Sequence, residues 1–153
     1  DFKKLCIREG EKVWQVFVDI VAINDDGNLF DAAGLAALIA LGRARMPIYN
    51  EDEDKVEGFS EERIPLNEEV LSFSMTFHKI SGKIVADVSR EEEEISDFRL
   101  TVAVGDNKGE PRITAMQKGK AGTINSGDME NILKMVEDKW KEMCPKVKEY
   151  VFG

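Results

Sequence analysis

Two alternating runs, each folded back at a glycine-containing turn and followed by one long amphipathic stretch, constrain this chain more than any other feature. Phe73 to Ile80 and Lys83 to Ser89 flank Ser81-Gly82. A two-residue glycine turn between alternating runs predicts a β-hairpin. Arg99 to Val104 and Arg112 to Met116 predict a second pair, turned at Asp106-Asn107-Lys108-Gly109. A helix is expected from about Gly127 to Met143, because Met129, Ile132, Leu133, Val136, Trp140 and Met143 recur at helical spacing. Pro145 is expected to interrupt it and to open a short final helix. Strands carrying such a helix must bury its apolar stripe, so the expected fold class is α+β, with helices packed on a mostly antiparallel sheet.

The first half reads differently. Val13 to Asn24, VWQVFVDIVAIN, is rich in β-branched and aromatic residues and predicts a strand. Trp14, Val16, Val18, Ile20 and Ala22 fall on one face, and Gln15, Phe17, Asp19, Val21 and Ile23 on the other. Apolar residues on both faces predict a strand covered on both sides. Asp25-Asp26-Gly27-Asn28 is a turn signal. Asp31 is then expected to cap a helix through about Arg45. The Ala and Gly of that helix allow close approach to a sheet or a second helix. Pro47 to Glu69 has no apolar period and predicts an exposed, irregular excursion.

A length of 153 residues allows one domain or two small lobes, and 42% hydrophobic content excludes a disordered chain. The formal net charge of -9 excludes a broad phosphate-gripping face as the main feature. A partner could still supply the cations. Cys6 and Cys144 stand at opposite ends with no CxxC. A reduced intracellular compartment is the simpler reading, and a single disulfide stays open. The longest small and apolar run, Ala32 to Gly42, is far short of the roughly 20 residues that span a bilayer. The chain opens on Asp1 without a basic, apolar leader, which suggests a fragment or a processed chain.

Three constellations could carry chemistry. Glu91-Glu92-Glu93-Glu94 with Asp97 could offer oxygen ligands to Mg²⁺, but consecutive residues cannot all face one ion, and a solvated loop is the plainer expectation. His78 is the only histidine and lies mid-strand without a neighbouring nucleophile motif, so it is expected to be packed rather than catalytic. Asp25-Asp26-Gly27-Asn28 before a helix could bind an anion. Its own carboxylates repel one, so a structural turn is expected.

The same segments resemble the RNase PH superfamily. VDIVAINDDGNLFDAAGLAALIAL is similar to that family's strand–turn–helix, where active members carry a Gly-Thr-Arg turn that binds phosphate. Gly27 keeps the glycine, Asn28 follows, and Leu29 and Phe30 stand at the Thr and Arg positions. IVADVSREEEEISDFRLTVAV is similar to the family's DLxYxED segment and the acidic residues after it. Asp87 matches the first Asp and Glu93 the first catalytic Asp. The second catalytic Asp falls at Arg99, with Asp97 nearby but out of register. INDDGNLFDAA and the SGDMENILKMVE helix together resemble the non-catalytic ring-subunit type of the archaeal exosome (the ribosomal-RNA-processing forty-two type), in its C-terminal part.

That resemblance implies an RNase PH-like, ribosomal S5 domain 2-like fold with a small C-terminal α/β lobe. Residues 1–70 would be the end of a first lobe and 71–153 a second lobe. It implies a cytoplasmic, structural subunit in a hexameric ring, without a cofactor. The partners would be a catalytic RNase PH-like subunit that degrades RNA phosphorolytically from the 3′ end, RNA within the complex, and RNA-binding cap subunits. Leu29 and Phe30 offer neither cation nor hydroxyl, and Arg99 offers no carboxylate, so no catalytic or phosphate site is expected. Arg43, Arg45, Arg99 and Arg112 are the candidates for local RNA contacts. The rival readings are an active phosphate-dependent exoribonuclease and a stand-alone interaction domain.

Overall fold

The computed structural model describes the chain from Asp1 to Gly153. A 3₁₀ turn leads into β1 (Cys6–Arg8) and β2 (Lys12–Val13), which pair as a small hairpin. Helix α1 (Leu29–Arg43) precedes the hairpin β3 (Arg45–Asn50) and β4 (Lys55–Arg63). Then follow β5 (Ser72–Ile80), β6 (Lys83–Ala86), helix α2 (Arg90–Ile95), β7 (Phe98–Asn107), β8 (Glu110–Gly119) and helix α3 (Ser126–Phe152). The last strands form one antiparallel sheet in the order β6-β5-β7-β8.

Strand alternation gives this sheet two unlike faces. Phe73, Met75 and Phe77 of β5 share a face with Phe98, Leu100, Val102 and Val104 of β7, and all are buried. Helix α3 lays Ile132, Val136, Trp140, Cys144, Val147 and Val151 on that face, at helical spacing. The opposite face carries Ser74, Thr76 and His78 beside Arg99, Thr101 and Ala103. Helix α1 runs along β5 on this polar side, close enough that a Cβ on Gly34 would lie 3.3 Å from Ser74 Oγ. At its far end, a Cβ on Gly42 would lie 2.4 Å from the Val151 carbonyl, so glycine is what lets α1 and α3 touch.

The two predicted pairs of strands and the glycine turns form as expected: Ser81 and Lys108 adopt positive φ beside Gly82 and Gly109. Five expectations are corrected. Residues 14–24 are not a strand, and all but Trp14 are exposed. Only Lys12 and Val13 pair, and Phe17, Val21 and Ile23 are exposed. A strand is defined by its ladder, and beyond Trp14, whose amide donates to the Leu5 carbonyl and whose ring packs edge-on against Tyr49, the run joins none.

Residues 47–69 are not an irregular excursion, since β3 and β4 form a hairpin there. Its turn is closed by Asn50, whose side-chain oxygen accepts from the Asp52 and Glu53 amides. Much of this hairpin is solvent-exposed, so no apolar alternation marks it. The acidic run is not a loop but the short helix α2. Ser89 and Glu92 form a reciprocal capping box, and acids in the first turn suit the positive end of the helix.

Helix α1 starts earlier than expected, and Asp31 is not its cap. Asn28 holds the cap position in a left-handed conformation without a side-chain cap bond. Asp31 instead accepts from the Thr76 amide (2.7 Å) and hydroxyl (2.8 Å) across to β5. Finally, Pro145 does not break α3. The helix loses one N–H there, but Cys144, Val147 and Val151 keep the same buried stripe on the sheet.

Candidate functional site

The polar face of the sheet, the first turn of α1 and helix α2 meet at one place. Gly27 sits with φ +90 against the start of α2, where a Cβ would lie 2.4 Å from the Val88 carbonyl. Only glycine allows both that φ and that approach. Asn28 donates from Nδ2 to Asp87 Oδ1 at 2.9 Å, tying the turn to the end of β6. Two residues on, the Phe30 ring lies under the Arg99 guanidinium, 4.0 Å from ring centroid to Cζ. Arg99 opposes His78 on β5 and Gly119 on β8.

His78 is buried beside this stack, and its surroundings fix its tautomer. Ser96 Oγ donates to the Glu93 carbonyl (2.8 Å) and accepts from Lys120 Nζ (2.9 Å). The His78 Nδ1–H therefore donates to Ser96 Oγ at 2.9 Å, and Nε2 is left as an acceptor without a partner. Burial holds His78 below its ordinary pKa. Glu93 opposes that shift, while Lys120 and Arg99 reinforce it. The imidazole is neutral at neutral pH. Lys120 also donates to the carbonyls of Glu93, Glu94 and Ser96 at the end of α2, where a cation suits the negative end of the helix.

The structure thus brings Gly27, Asn28, Phe30, Asp87, Glu93 and Arg99 into one neighbourhood, although they are up to 72 positions apart between Gly27 and Arg99 in the chain. Leu29 is more than a third exposed at the helix start. Asp97 does not join them through its backbone, which pairs with Lys79 and Gly122. No group of three or more histidine, cysteine, aspartate or glutamate side chains is arranged to hold a metal ion. A cleft of about 470 Å³ opens beside the turn, lined by Asn28, Asp31, Leu35, Met75, Asp87 and Met143 among others.

The four arginines do not form one face. Arg43 donates to the Tyr150 carbonyl and Arg45 pairs with Glu61, both at the far end of α1. Arg112, on β8, opposes Gly105 of β7, at the other end of the strand pair from Arg99 and Gly119. Sequence reasoning missed the roles of Ser96, Lys120 and Thr76. Each acts through a contact with a residue distant in sequence, and polar residues on strands and loops carry no periodic signal of such pairing. Cys6 is exposed and Cys144 buried, and both are free thiols. No helix is long and apolar enough to cross a membrane.

Comparison with known proteins places these features in a lineage. The 3′ exoribonuclease family (RNase PH), domain 1, matches residues 1–47, and domain 2 of the same family matches residues 71–137. The exosome complex component Rrp42 of Methanothermobacter thermautotrophicus is 38% identical over 151 residues, 99% of this chain and 53% of that protein. The Rrp42 component of Pyrococcus furiosus is 39% identical over 144 residues, 93% of this chain and 50% of that protein. The chain therefore spans about half the length of these curated relatives. An archaeal exosome core chain superposes with a TM-score of 0.79 at 33% identity, covering 97% of this chain and 56% of the other. A chain from the Archaeoglobus fulgidus exosome with RNA bound to the active site gives 0.73 at 36% identity, covering 92% and 52%.

Proposed function

The chain belongs to the 3′ exoribonuclease (RNase PH) family, and from that premise we propose that it serves as a non-catalytic subunit in the hexameric ring of an archaeal exosome. In this reading residues 1–70 belong to a first RNase PH-like lobe and residues 71–153 form the second. The subunit completes the ring, supports a catalytic RNase PH-like neighbour, and helps shape the path of RNA toward 3′-to-5′ phosphorolysis in the cytoplasm. RNA-binding cap subunits would complete the assembly.

The observation that carries the inactive assignment is the Arg99–Phe30 stack. Phosphorolysis joins two anions and needs cations and donors around phosphate, with a carboxylate to handle a proton or a metal. Here the turn presents Leu29 and Phe30, and a guanidinium lies where active relatives are expected to hold an acid. Glu93 remains, but the titratable group it acts on is a neutral His78, and Lys120 binds its backbone carbonyl.

The test has two arms. The pure chain is incubated with RNA, inorganic phosphate and Mg²⁺, and nucleoside diphosphate release is followed. None is expected, and release abolished by Glu93→Gln would overturn the inactive assignment. Size-exclusion chromatography with the catalytic subunit is expected to show a shared complex. A chain that stays monomeric beside that subunit would overturn the ring assignment.

A further inference from the structure

The half-buried lysines of this lobe have partners, and so does Lys120. Lys79 is paired with Asp128, Lys148 with Asp106, and Lys120 is ringed by carbonyl oxygens. Arg99 is the exception. It is half-buried, forms no ion pair and no hydrogen bond, and its Nε–H is buried without an acceptor. Leaving buried donors of a charged group unpaired is costly, so a fold keeps them only where something else holds the side chain.

What holds it is a flat slot. The Phe30 ring lies against the guanidinium, and Gly119 lies beside it, where any Cβ would come within 2.8 Å of Nη2. Stacking uses the face of the guanidinium and leaves its forked edge free, the geometry that grips a phosphate. Phe30 itself is 44% exposed, so part of its ring is available to a second flat group. It stands in the first turn of α1, which lacks a side-chain cap and so adds positive potential there.

Two of the nearby carboxylates are engaged elsewhere. Asp31 is held by both donors of Thr76 and Asp87 accepts from Asn28, while Lys120 sets a second cation at the backbone carbonyls of Glu93 and Glu94. Among the other arginines, Arg45 is paired, Arg43 is bonded to a carbonyl, and Arg112 has no aromatic neighbour.

Building on the ring-subunit reading above, we propose that Arg99 and Phe30 form a subsite for one nucleotide of single-stranded RNA. Arg99 takes a backbone phosphate on its forked edge, and the exposed part of Phe30 stacks the adjoining base. The loss of chemistry and the gain of this grip are then one change, a carboxylate position given to a guanidinium. Base–aromatic stacking and phosphate pairing tolerate any sequence, so the subsite holds RNA without reading it.

The experiment measures binding of a fluorescein-labelled oligoadenylate to the full chain, alone and in complex with the catalytic subunit, across a salt series. Arg99→Gln is expected to weaken binding by about tenfold and to lower the log–log salt slope by about 0.7, the loss of one single-strand phosphate contact. Phe30→Leu keeps the apolar bulk and is expected to weaken binding without changing the slope. Arg99→Lys is expected to keep the slope but not the full affinity. Thermal melts confirm that each variant is folded. Unchanged affinity and slope in folded Arg99→Gln would overturn the subsite while leaving the ring reading intact. Wild-type protein that binds through Arg99 yet never joins the catalytic subunit would overturn the ring reading alone. Inorganic phosphate that displaces the oligonucleotide at equal concentration would overturn the stacking role of Phe30.

Discussion

Residues 71–153 contain every member of the main apolar cluster, whereas residues 1–70 bury one large apolar side chain, Leu5. Yet the first region is not poorer in apolar residues. Val16, Phe17, Val18, Ile20, Val21 and Ile23 follow one another closely, and each is at least 40% exposed. The difference is pairing. In the second region β7 has β5 on one side and β8 on the other, and α3 covers the result. The strand-like run of the first region has neither neighbour nor cover. Apolar content alone therefore does not make a core, because backbone groups must be paired before side chains can be layered.

The sharpest way to break this comparison is a pair of truncations. Phe98→Ala removes a fully buried ring and is expected to cost about 3–5 kcal/mol in urea unfolding. Ile23→Ala, at a side chain 98% exposed, is expected to fall within about 0.5 kcal/mol of wild type. Equal losses would mean that residues 14–24 pack in solution. The seam between the regions comes next. Gly42→Ala drives a Cβ into the Val151 carbonyl, and a cost of about 1–3 kcal/mol is expected, with faster amide exchange in α1. Unaltered exchange would show that α1 does not depend on α3.

A smaller effect is expected at the start of α3. Asn125 accepts from the Asp128 amide at 2.8 Å, and Asn125→Ala is expected to cost about 1 kcal/mol by thermal melt. The smallest effect is a pH dependence. His78 has its folded pKa lowered by burial below the ordinary 6.5, so the unfolded chain takes up the proton first. Stability is full above pH 6.5 and falls as pH drops through that value toward the folded pKa. His78→Gln is expected to flatten this part of the curve, and an unchanged pH profile would contradict the buried neutral imidazole.

The second region was legible in the sequence because its signals are local. Ser81-Gly82 and Lys108-Gly109 turn the chain, and Ile132, Val136 and Trp140 repeat at helical spacing. The site was legible only in part. Gly27, Asn28, Phe30, Glu93 and Arg99 could be aligned to a family pattern, but the stack of Arg99 on Phe30 is a contact between residues 30 and 99 that no window spans. The partners of His78 at Ser96 and Lys120 lie 18 and 42 positions away, and neither residue carries a mark of its role.

Sequence by itself determined the hairpins, the amphipathic helix, the glycine turns and the family, since these depend on periodicity, turn chemistry and order along the chain. Tertiary structure decided whether a strand-like run found a ladder, whether α3 could continue through Pro145, where Asp31 spends its carboxylate, and that Arg99 has no partner. The reason is physical: local preferences amount to fractions of a kcal/mol per residue. Pairing, burial and the satisfaction of buried donors are worth more, and they depend on residues that meet only when the chain has folded.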